Sequence, residues 1–275
     1  MRMAGQKTTS KKCLRIGREL LCSLLFPRRC PVCDELLEPD EIEKGIHSAC
    51  ESKLYPIYGA VCMHCGRPIG DKISKNTEYK LDMEHRCPVE TVTREYCHDC
   101  ESKGYHRKTF VAQAKALYLY KDEIKISMYR FKYSNKREYA FFFAKQAVKC
   151  YNAWMKHIGI ETIVPVPLYA PKQRRRGYNQ AESFARELGK CLEVPVSTDM
   201  VYRVVNTIPQ KGLSQMERKK NLEKAFQKGK SAKRYRSVLL VDDIYTTGST
   251  AEAVAKELMS LGIERVYLLT ICIGE

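Results

Sequence analysis

The sequence has no apolar stretch long enough to cross a bilayer as a helix. The run from Leu20 to Phe26 follows several basic residues, but it is short and ends without a small-residue cleavage site, so a secretory signal is not expected. We predict instead that residues 1–26 form an N-terminal tail with a short amphipathic helix. Without an export signal the cysteines are expected to stay reduced and the protein to be cytoplasmic.

Acidic side chains are few relative to basic ones. The chain has 32 Asp and Glu against 48 Lys and Arg, which gives a formal net charge of +16. This excess attracts anions of any size, so nucleic acid, anionic lipid and small phosphorylated ligands are all candidate partners. Apolar residues make up 44% of the chain, which is typical of a globular core and excludes a disordered or collagen-like protein.

Residues 27–108 lack the long apolar periodicities that build a core and are rich in cysteine instead. Four short units there have two residues between their ligands, a spacing that lets both side chains face one tetrahedral ion. Paired in sequence order, they predict a small double zinc-ribbon-like module with two structural zinc ions, one held by Cys30, Cys33, His47 and Cys50 and the other by Cys62, Cys65, Cys97 and Cys100. Redox dithiols or buried thiols are the alternative interpretation, and the alternative ligands are His64, Cys87 and His98.

Residues 109–275 alternate apolar strands with amphipathic helices. Strands are predicted over 110–120, 162–167, 196–205, 237–241 and 265–273. Helices are predicted over 122–133, 137–158, 180–188, 214–226 and 250–261. This alternation predicts an α/β domain with an open, mostly parallel sheet and helices on both faces.

The segment from Val238 to Thr250 has the clearest functional pattern. An apolar strand ends in the carboxylates of Asp242 and Asp243, and a hydroxyl-rich turn then leads into a helix. Open α/β sheets bind ligands at the carboxyl ends of their strands, and a helix N-terminus offers free N–H groups to phosphate. Adjacent carboxylates suit a sugar diol with a divalent cation nearby. The pattern therefore predicts a ribose 5-phosphate site whose phosphate contacts are Thr246, Thr247, Gly248, Ser249 and Thr250.

Other interpretations of this segment are less complete. Ser249 and Glu252 have the spacing of a capping box, which leaves the acids and threonines before them unexplained. A Walker-type loop ending in Gly229, Lys230 and Ser231 is excluded, because Lys224 stands where the first glycine of that motif belongs. A phospho-receiver pocket also places two acids at a strand end, but it has no need of a hydroxyl-rich turn around glycine.

Residues 238–250 resemble the 5-phosphoribosyl-1-pyrophosphate (PRPP) motif of type I phosphoribosyltransferases. The wider chain resembles the ComF family, bacterial competence-associated proteins in which a zinc module precedes such a domain. The resemblance rests on residues 27–33, 164–168, 174–180 and 212–222, and spans nearly the whole chain from residue 27. Family members often have cysteine where His47 stands, and zinc accepts either ligand.

The resemblance implies a role for each part of the site. Asp242 and Asp243, the catalytic residues, would hold the ribose hydroxyls, and Mg²⁺ would lie beside the pyrophosphate. The turn from Thr246 to Thr250 would bind the 5′-phosphate. The loop that faces the pyrophosphate would consist of Val166, Pro167 and Leu168. Arg174 and the two arginines after it follow this loop closely in the sequence, so they are expected to reach the same anion.

A second basic region lies between Arg203 and Arg236, with eleven Lys or Arg and two Glu. Part of it aligns with the mobile loop that covers PRPP in type I enzymes. Its predicted helix 214–226 suits the phosphate backbone of single-stranded DNA, with contacts from Arg218, Lys219 and Lys220. Bases would stack on tyrosines chosen from Tyr118, Tyr120, Tyr129, Tyr133 and Tyr178. A solvated basic surface and core tyrosines are the alternative interpretation.

Two functions fit these patterns. One is a competence-linked protein that handles single-stranded DNA, acts with DNA-processing proteins and keeps PRPP as a ligand. The other is a phosphoribosyltransferase of nucleotide metabolism or salvage. Type I enzymes that act on bases build a hood over the acceptor, whereas this sequence ends at Glu275 directly after a strand. Acceptor contacts are therefore expected from the zinc module or from residues 109–160.

Overall fold

The computed structural model describes residues 27–57, 59–69, 96–102, 109–205, 224–229 and 234–274. Its helices are α1 (Ser48–Glu51), α2 (His98–Ser102), α3 (Glu123–Tyr133), α4 (Tyr139–His157), α5 (Ala170–Arg176), α6 (Gln180–Leu192) and α7 (Ser249–Ser260). Its strands are β1 (Val111–Leu119), β2 (Thr162–Pro165), β3 (Val201–Arg203), β4 (Phe226–Lys228), β5 (Ser237–Tyr245) and β6 (Arg265–Ile273). The predicted N-terminal helix and most of predicted helix 214–226 lie outside these ranges. Within them, no helix has the length and apolar character of a membrane span.

Four strands form a parallel sheet in the order β1–β6–β5–β2. Along β5, Leu239 and Val241 join the core that includes residues of α4 and α6, whereas Val238 and Leu240 join the core that includes residues of α7. A strand buried on both faces is continuously apolar, as this one is. The predicted open parallel sheet with helices on both faces is confirmed.

The carboxyl end of β2 lies beside Val241 of β5, and β5 continues beyond it to Tyr245. Pro165 pairs with Val241, and just past β2 the Val166 N–H donates to the Val241 carbonyl oxygen at 2.9 Å. The predicted strand 237–241 therefore extends through Asp242 and Asp243 to Tyr245, and both acids lie at the same edge of the sheet as the loop at 166–168. This is the edge at which open α/β sheets bind their ligands.

The structure corrects two predicted elements. Within residues 196–205 only Val201–Arg203 form a strand, and that strand pairs antiparallel with Phe226–Lys228 in a separate two-stranded sheet. Val196 makes an isolated parallel bridge to Ile163. Phe226 begins a strand instead of ending a helix. Apolar periodicity does not specify a partner; here the strands of Val201 and Phe226 pair because both residues are buried in the core beside α7.

Helix α5 is an element that the sequence patterns did not predict. Pro171 near its start resembles a helix breaker, but proline is tolerated in a first turn, where its missing N–H has no helical partner. Gly177, with φ of +83°, ends α5 in the left-handed conformation. Asn179 then caps α6 by accepting from the Ala181 N–H at 3.1 Å, and its amide donates to the Val166 carbonyl oxygen at 3.0 Å. These contacts fix the start of α6 against the edge of the sheet.

The cysteine-rich region packs against the α/β domain. Residues 55–57 run antiparallel to β1, since the Ile57 N–H donates to the Leu117 carbonyl oxygen at 3.0 Å. Gly66 lies so close to β1 that a Cβ there would stand 2.6 Å from the Ala114 carbonyl oxygen. The Tyr139 hydroxyl donates to the Asp34 carboxylate at 2.7 Å. Several contacts thus tie the small region, which has little core of its own, to the larger domain.

Candidate functional site

The cysteine-rich region contains two clusters of potential metal ligands, the same two sets of four that the sequence order predicts. The ligand atoms within each set lie within 4.8 Å of one another. The sulfurs of Cys65 and Cys97 are 3.6 Å apart, close to the roughly 3.8 Å expected for two thiolates on one tetrahedral zinc. With four protein donors each, the clusters fit two structural zinc ions. Among the alternative ligands, His64 and His98 lie outside both sets, and Cys87 is outside the described residues.

His47 has the geometry of a metal-binding histidine. Its Nδ1 lies 3.1 Å from the Cys33 sulfur and so faces the first cluster. Its Nε2 lies 2.9 Å from the Leu36 carbonyl oxygen, which can only accept. That contact places the ring proton on Nε2 and leaves the Nδ1 lone pair for the metal. His47 is therefore a competent ligand.

A cleft of about 420 Å³ opens at the carboxyl ends of β2 and β5. The sequence predicted several of its lining residues, namely Val166, Pro167, Leu168, Asp242, Asp243, Thr246 and Thr250. A small hollow of about 30 Å³ adjoins it, lined by the whole turn from Thr246 to Thr250 together with Asp242. The structure thus brings the acids, the turn and the loop after β2 to one place.

The two carboxylates of the cleft have different environments. Asp243 forms an ion pair with Lys132, with 2.9 Å between Oδ2 and Nζ. Asp242 accepts a hydrogen bond from the Asp243 N–H at 2.8 Å. Burial, followed by repulsion from Asp243, raises the pKa of Asp242 to about 7. Although burial alone would lower the pKa of Lys132, the Asp243 carboxylate raises it, so the lysine stays charged.

The turn after β5 has the form of an anion cradle. Gly248, with φ of +76°, is the N-cap of α7, and the Thr247 and Ser249 hydroxyl oxygens lie 2.9 Å apart. The hydroxyl of Thr270 on β6 also lines the hollow; it is buried and has no hydrogen-bond partner among the described residues. A buried hydroxyl without a partner is costly, and an anion in the hollow would satisfy it. The only signal for Thr270 in the sequence is one polar residue in an apolar strand.

The capping-box interpretation of Ser249 and Glu252 does not hold. Ser249 is the first residue of α7, and Gly248, not Ser249, occupies the N-cap. The Glu252 carboxylate accepts from the N–H groups of Phe110 and Val111, at 2.8 and 3.3 Å. Glu252 thus holds the start of β1, and the hydroxyls of the turn remain available to a ligand.

Four cations from three elements line the cleft: Lys132 on α3, Lys172 and Arg176 on α5, and Arg203 on β3. Sequence reasoning placed Arg176 within reach of the anion and missed the other three. Burial and the nearby arginines 176 and 203 lower the pKa of Lys172, which shows how closely these charges are gathered. Arg174, the arginine that the sequence favoured, is exposed and does not line the cleft. Helix α5 turns Lys172 and Arg176 toward the cleft instead. Asn179, Gln180 and Tyr120 also line the cleft.

The region around the second ligand cluster (Cys62, Cys65, Cys97 and Cys100) contacts the turn from Thr246 to Thr250. Arg67 donates to the Asp99 carboxylate at 2.6 Å and to the Thr246 carbonyl oxygen at 3.4 Å. The Tyr245 side chain packs against the cluster, and its hydroxyl would lie 2.5 Å from a Cβ added to Gly248. The shape of the turn therefore depends on the cysteine-rich region as well as on the sheet.

The residues predicted to contact nucleic acid fall into different classes. Arg218, Lys219 and Lys220 lie outside the described residues. Tyr118 and Tyr178 are buried in the core, as the alternative interpretation expected. Tyr120 lines the cleft. The rings exposed to solvent are those of Tyr129 and Tyr133.

Residues 21–101 match the family described as "Double zinc ribbon domain". The chain is 44% identical to Competence protein F of Haemophilus influenzae over 110 residues, which are 39% of this chain and 48% of that protein. It is 28% identical to Competence protein ComFC of Bacillus subtilis over 231 residues, 82% of each chain. The chain is thus similar to competence proteins of the ComF family. It spans about half the length of the H. influenzae protein.

Among solved structures, an orotate phosphoribosyltransferase from Aeropyrum pernix is similar to this chain, with 16% identity and a TM-score of 0.29. The likeness covers 50% of this chain and 59% of that one. The architecture itself rests on the strands and ligand clusters described above: a double zinc ribbon followed by a parallel α/β sheet.

Proposed function

We propose that this chain is a ComF family protein that binds PRPP with Mg²⁺ in the cleft at the ends of β2 and β5, and that it acts in the cytoplasm on single-stranded DNA during DNA uptake. One observation carries the PRPP half. The hydroxyl-rich turn, the paired carboxylates and the loop at 166–168 converge on one cleft that four cations also line. A 5′-phosphate, a ribose diol and a pyrophosphate need these three surfaces in this order.

Each part of PRPP then has a partner. The 5′-phosphate would take the N–H groups and hydroxyls of the turn at the N-terminus of α7, where the helix dipole favours an anion. The diol would donate to Asp242 and Asp243. The pyrophosphate would lie by the loop after β2, within the field of Lys172 and Arg203.

Magnesium fits the donor set of this site, because hard cations prefer carboxylate and phosphate oxygens and Asp242 and Asp243 supply the former. When bound, the ion would neutralise charge on the pyrophosphate. The chain's own contribution to any transfer at C1 of the ribose is positioning and electrostatics: the cations stabilise charge on the leaving group, and the carboxylates orient the sugar. No side-chain nucleophile is needed.

Phosphoribosyl transfer to an acceptor is the second candidate function. The cleft receives Tyr120 and Lys132 from residues 109–160, the segment from which acceptor contacts are expected. Pyrophosphate release from PRPP and Mg²⁺, screened against bases, nucleosides and single-stranded DNA, distinguishes the two functions. Release that depends on an acceptor supports the transferase, whereas PRPP binding without release supports a ligand or regulatory role.

Calorimetric titration of the full chain with PRPP and Mg²⁺ tests the binding proposal. Asp243→Asn keeps the shape of the side chain but loses a charged acceptor, so binding is expected to weaken about tenfold to a hundredfold (roughly 1.5–3 kcal/mol). Two basic residues of α5 form a matched pair. Lys172→Met is expected to weaken binding and Arg174→Met to leave it unchanged, because only Lys172 lines the cleft. Wild-type protein without saturable binding would refute the proposal.

The DNA half rests on the similarity to relatives named competence proteins and a DNA utilization protein, and on the net charge of +16. Affinity for single-stranded DNA is expected to fall steeply with salt, because each phosphate contact releases a counterion. Replacing Arg218, Lys219 and Lys220 together by Ala should flatten that dependence. An unchanged salt slope would place the phosphate contacts elsewhere on the chain.

A further inference from the structure

We propose that Tyr129 and Tyr133, on the outer face of helix α3, form a platform on which bases of single-stranded nucleic acid stack beside the mouth of the cleft. The inference rests on the DNA half of the proposed function and gives it a location. It does not depend on PRPP binding.

The platform is an apolar stripe that faces solvent. Ile126, Tyr129 and Tyr133 are three and four positions apart, so they lie on one face of α3. They are 51%, 63% and 54% exposed, whereas Ile124, Met128 and Phe131 on the inner face are buried. The helix therefore fills its place in the core with other residues. Contiguous exposed apolar side chains of this kind mark interaction sites.

The two tyrosine rings are held in a defined arrangement. Their centroids are 5.1 Å apart with an interplanar angle of 48°. The Arg176 guanidinium stands 4.7 Å from the centre of the Tyr133 ring and donates to its hydroxyl at 2.9 Å. Arg176 also lines the cleft, so the stripe leads directly to the cleft mouth. A fixed ring pair stacks bases at a low entropic cost.

The charges around the stripe favour nucleic acid as its ligand. Exposed cations lie on α3 itself and on the elements that contact or follow it: Lys125 on α3, Arg174 and Arg175 on α5, and Arg137 before α4. The acids of this helix, Asp122 and Glu123, lie at its other end, away from Tyr133. Flat aromatic faces bordered by cations suit bases joined by phosphates. A second copy of the chain is disfavoured as occupant, because each copy has a net charge of +16.

The test compares two substitutions at Tyr129. Among the described ring contacts, Tyr129 packs against Tyr133, which does not line the cleft. Tyr129→Leu keeps apolar bulk and loses the ring face, whereas Tyr129→Phe keeps the ring. Binding of a fluorescent oligothymidine is followed by anisotropy over a series of salt concentrations. We expect Tyr129→Leu to bind at least fivefold more weakly and Tyr129→Phe to bind as wild type. The salt slope should stay the same in both, because the phosphate contacts remain.

The remaining outcomes are distinct. If Tyr129→Leu binds the oligonucleotide as tightly as wild type, the platform is wrong while the DNA function stands. If wild type does not bind it, the DNA half of the function and the platform both fail, and PRPP titration of the same samples still reports on the cleft. If wild type sediments as a dimer that Tyr129→Leu dissociates, the stripe is a self-association face and the proposal is overturned.

Discussion

The affinity for PRPP is expected to depend on pH through Asp242. This residue lies next to Asp243 on β5, and Lys132 pairs with Asp243, leaving Asp242 with burial and repulsion that raise its pKa from 3.8 to about 7. A carboxyl with a pKa of 7 is about nine-tenths ionised at pH 8 and about one-tenth ionised at pH 6. If the ribose diol requires the carboxylate, the apparent dissociation constant should be about tenfold larger at pH 6 than at pH 8.

Calorimetric titrations of wild type and Asp242→Asn across this range measure the effect. The 5′-phosphate of PRPP itself takes up a proton near pH 6, at about the usual second pKa of a phosphate ester, and this contributes to both curves. The asparagine variant keeps that contribution and loses the carboxyl. Its affinity should therefore be lower than that of wild type at pH 8 and approach it at pH 6. Parallel curves for the two proteins from pH 6 to 8 would refute the reasoning.

The raised pKa of Asp242 also affects stability. As pH rises, PRPP affinity is expected to increase, whereas stability is expected to decrease. Between about pH 4 and pH 7 the folded protein holds a proton on Asp242 that the unfolded chain has released. The free energy of unfolding should therefore fall as pH rises through this window. Asp242→Asn lacks this loss, so without ligand it should unfold at a higher denaturant concentration than wild type at pH 8. A variant that is less stable there would instead suggest that its weaker binding reflects damage to the fold.

Three further predictions concern the turn and the zinc module. Gly248→Val should abolish measurable PRPP binding with folding retained, because a side chain at φ of +76° meets the Tyr245 hydroxyl; circular dichroism checks the fold, and unaltered binding would contradict the prediction. Arg67→Met should keep two zinc ions and weaken PRPP binding about two- to tenfold, because it removes the hydrogen bond to the Thr246 carbonyl oxygen. Equal affinity would show that this hydrogen bond does not contribute to PRPP binding. Metal analysis should find about two zinc ions in wild type and fewer in Cys62→Ser, and chelation should unfold the zinc module while the sheet domain survives; an unchanged metal count would count against the ligand assignment.

Sequence patterns predicted the parts of the molecule whose residues are close together in the chain. The spacing of Cys62 and Cys65 is enough to direct two thiolates at one ion, and this local geometry survives in the folded cluster. Likewise the apolar strand, the acids and the turn of the phosphate-type site follow one another within residues 238–250. Continuous burial of β5 on both faces also appears directly as an unbroken apolar run.

Contacts between residues that lie far apart in the chain could be identified only from the folded structure. Nothing near Lys132 or Arg203 in sequence indicates that they face the carboxylates; α3 and β3 bring them there by packing. The sequence favoured Arg174 over Lys172 because it shows charge density but not the direction in which a side chain points. Arg67 reaches Thr246 across 179 positions. Local patterns thus specified the chemical groups of this protein, whereas packing between distant elements set which of those groups meet, because such contacts depend on burial and register that no short segment encodes.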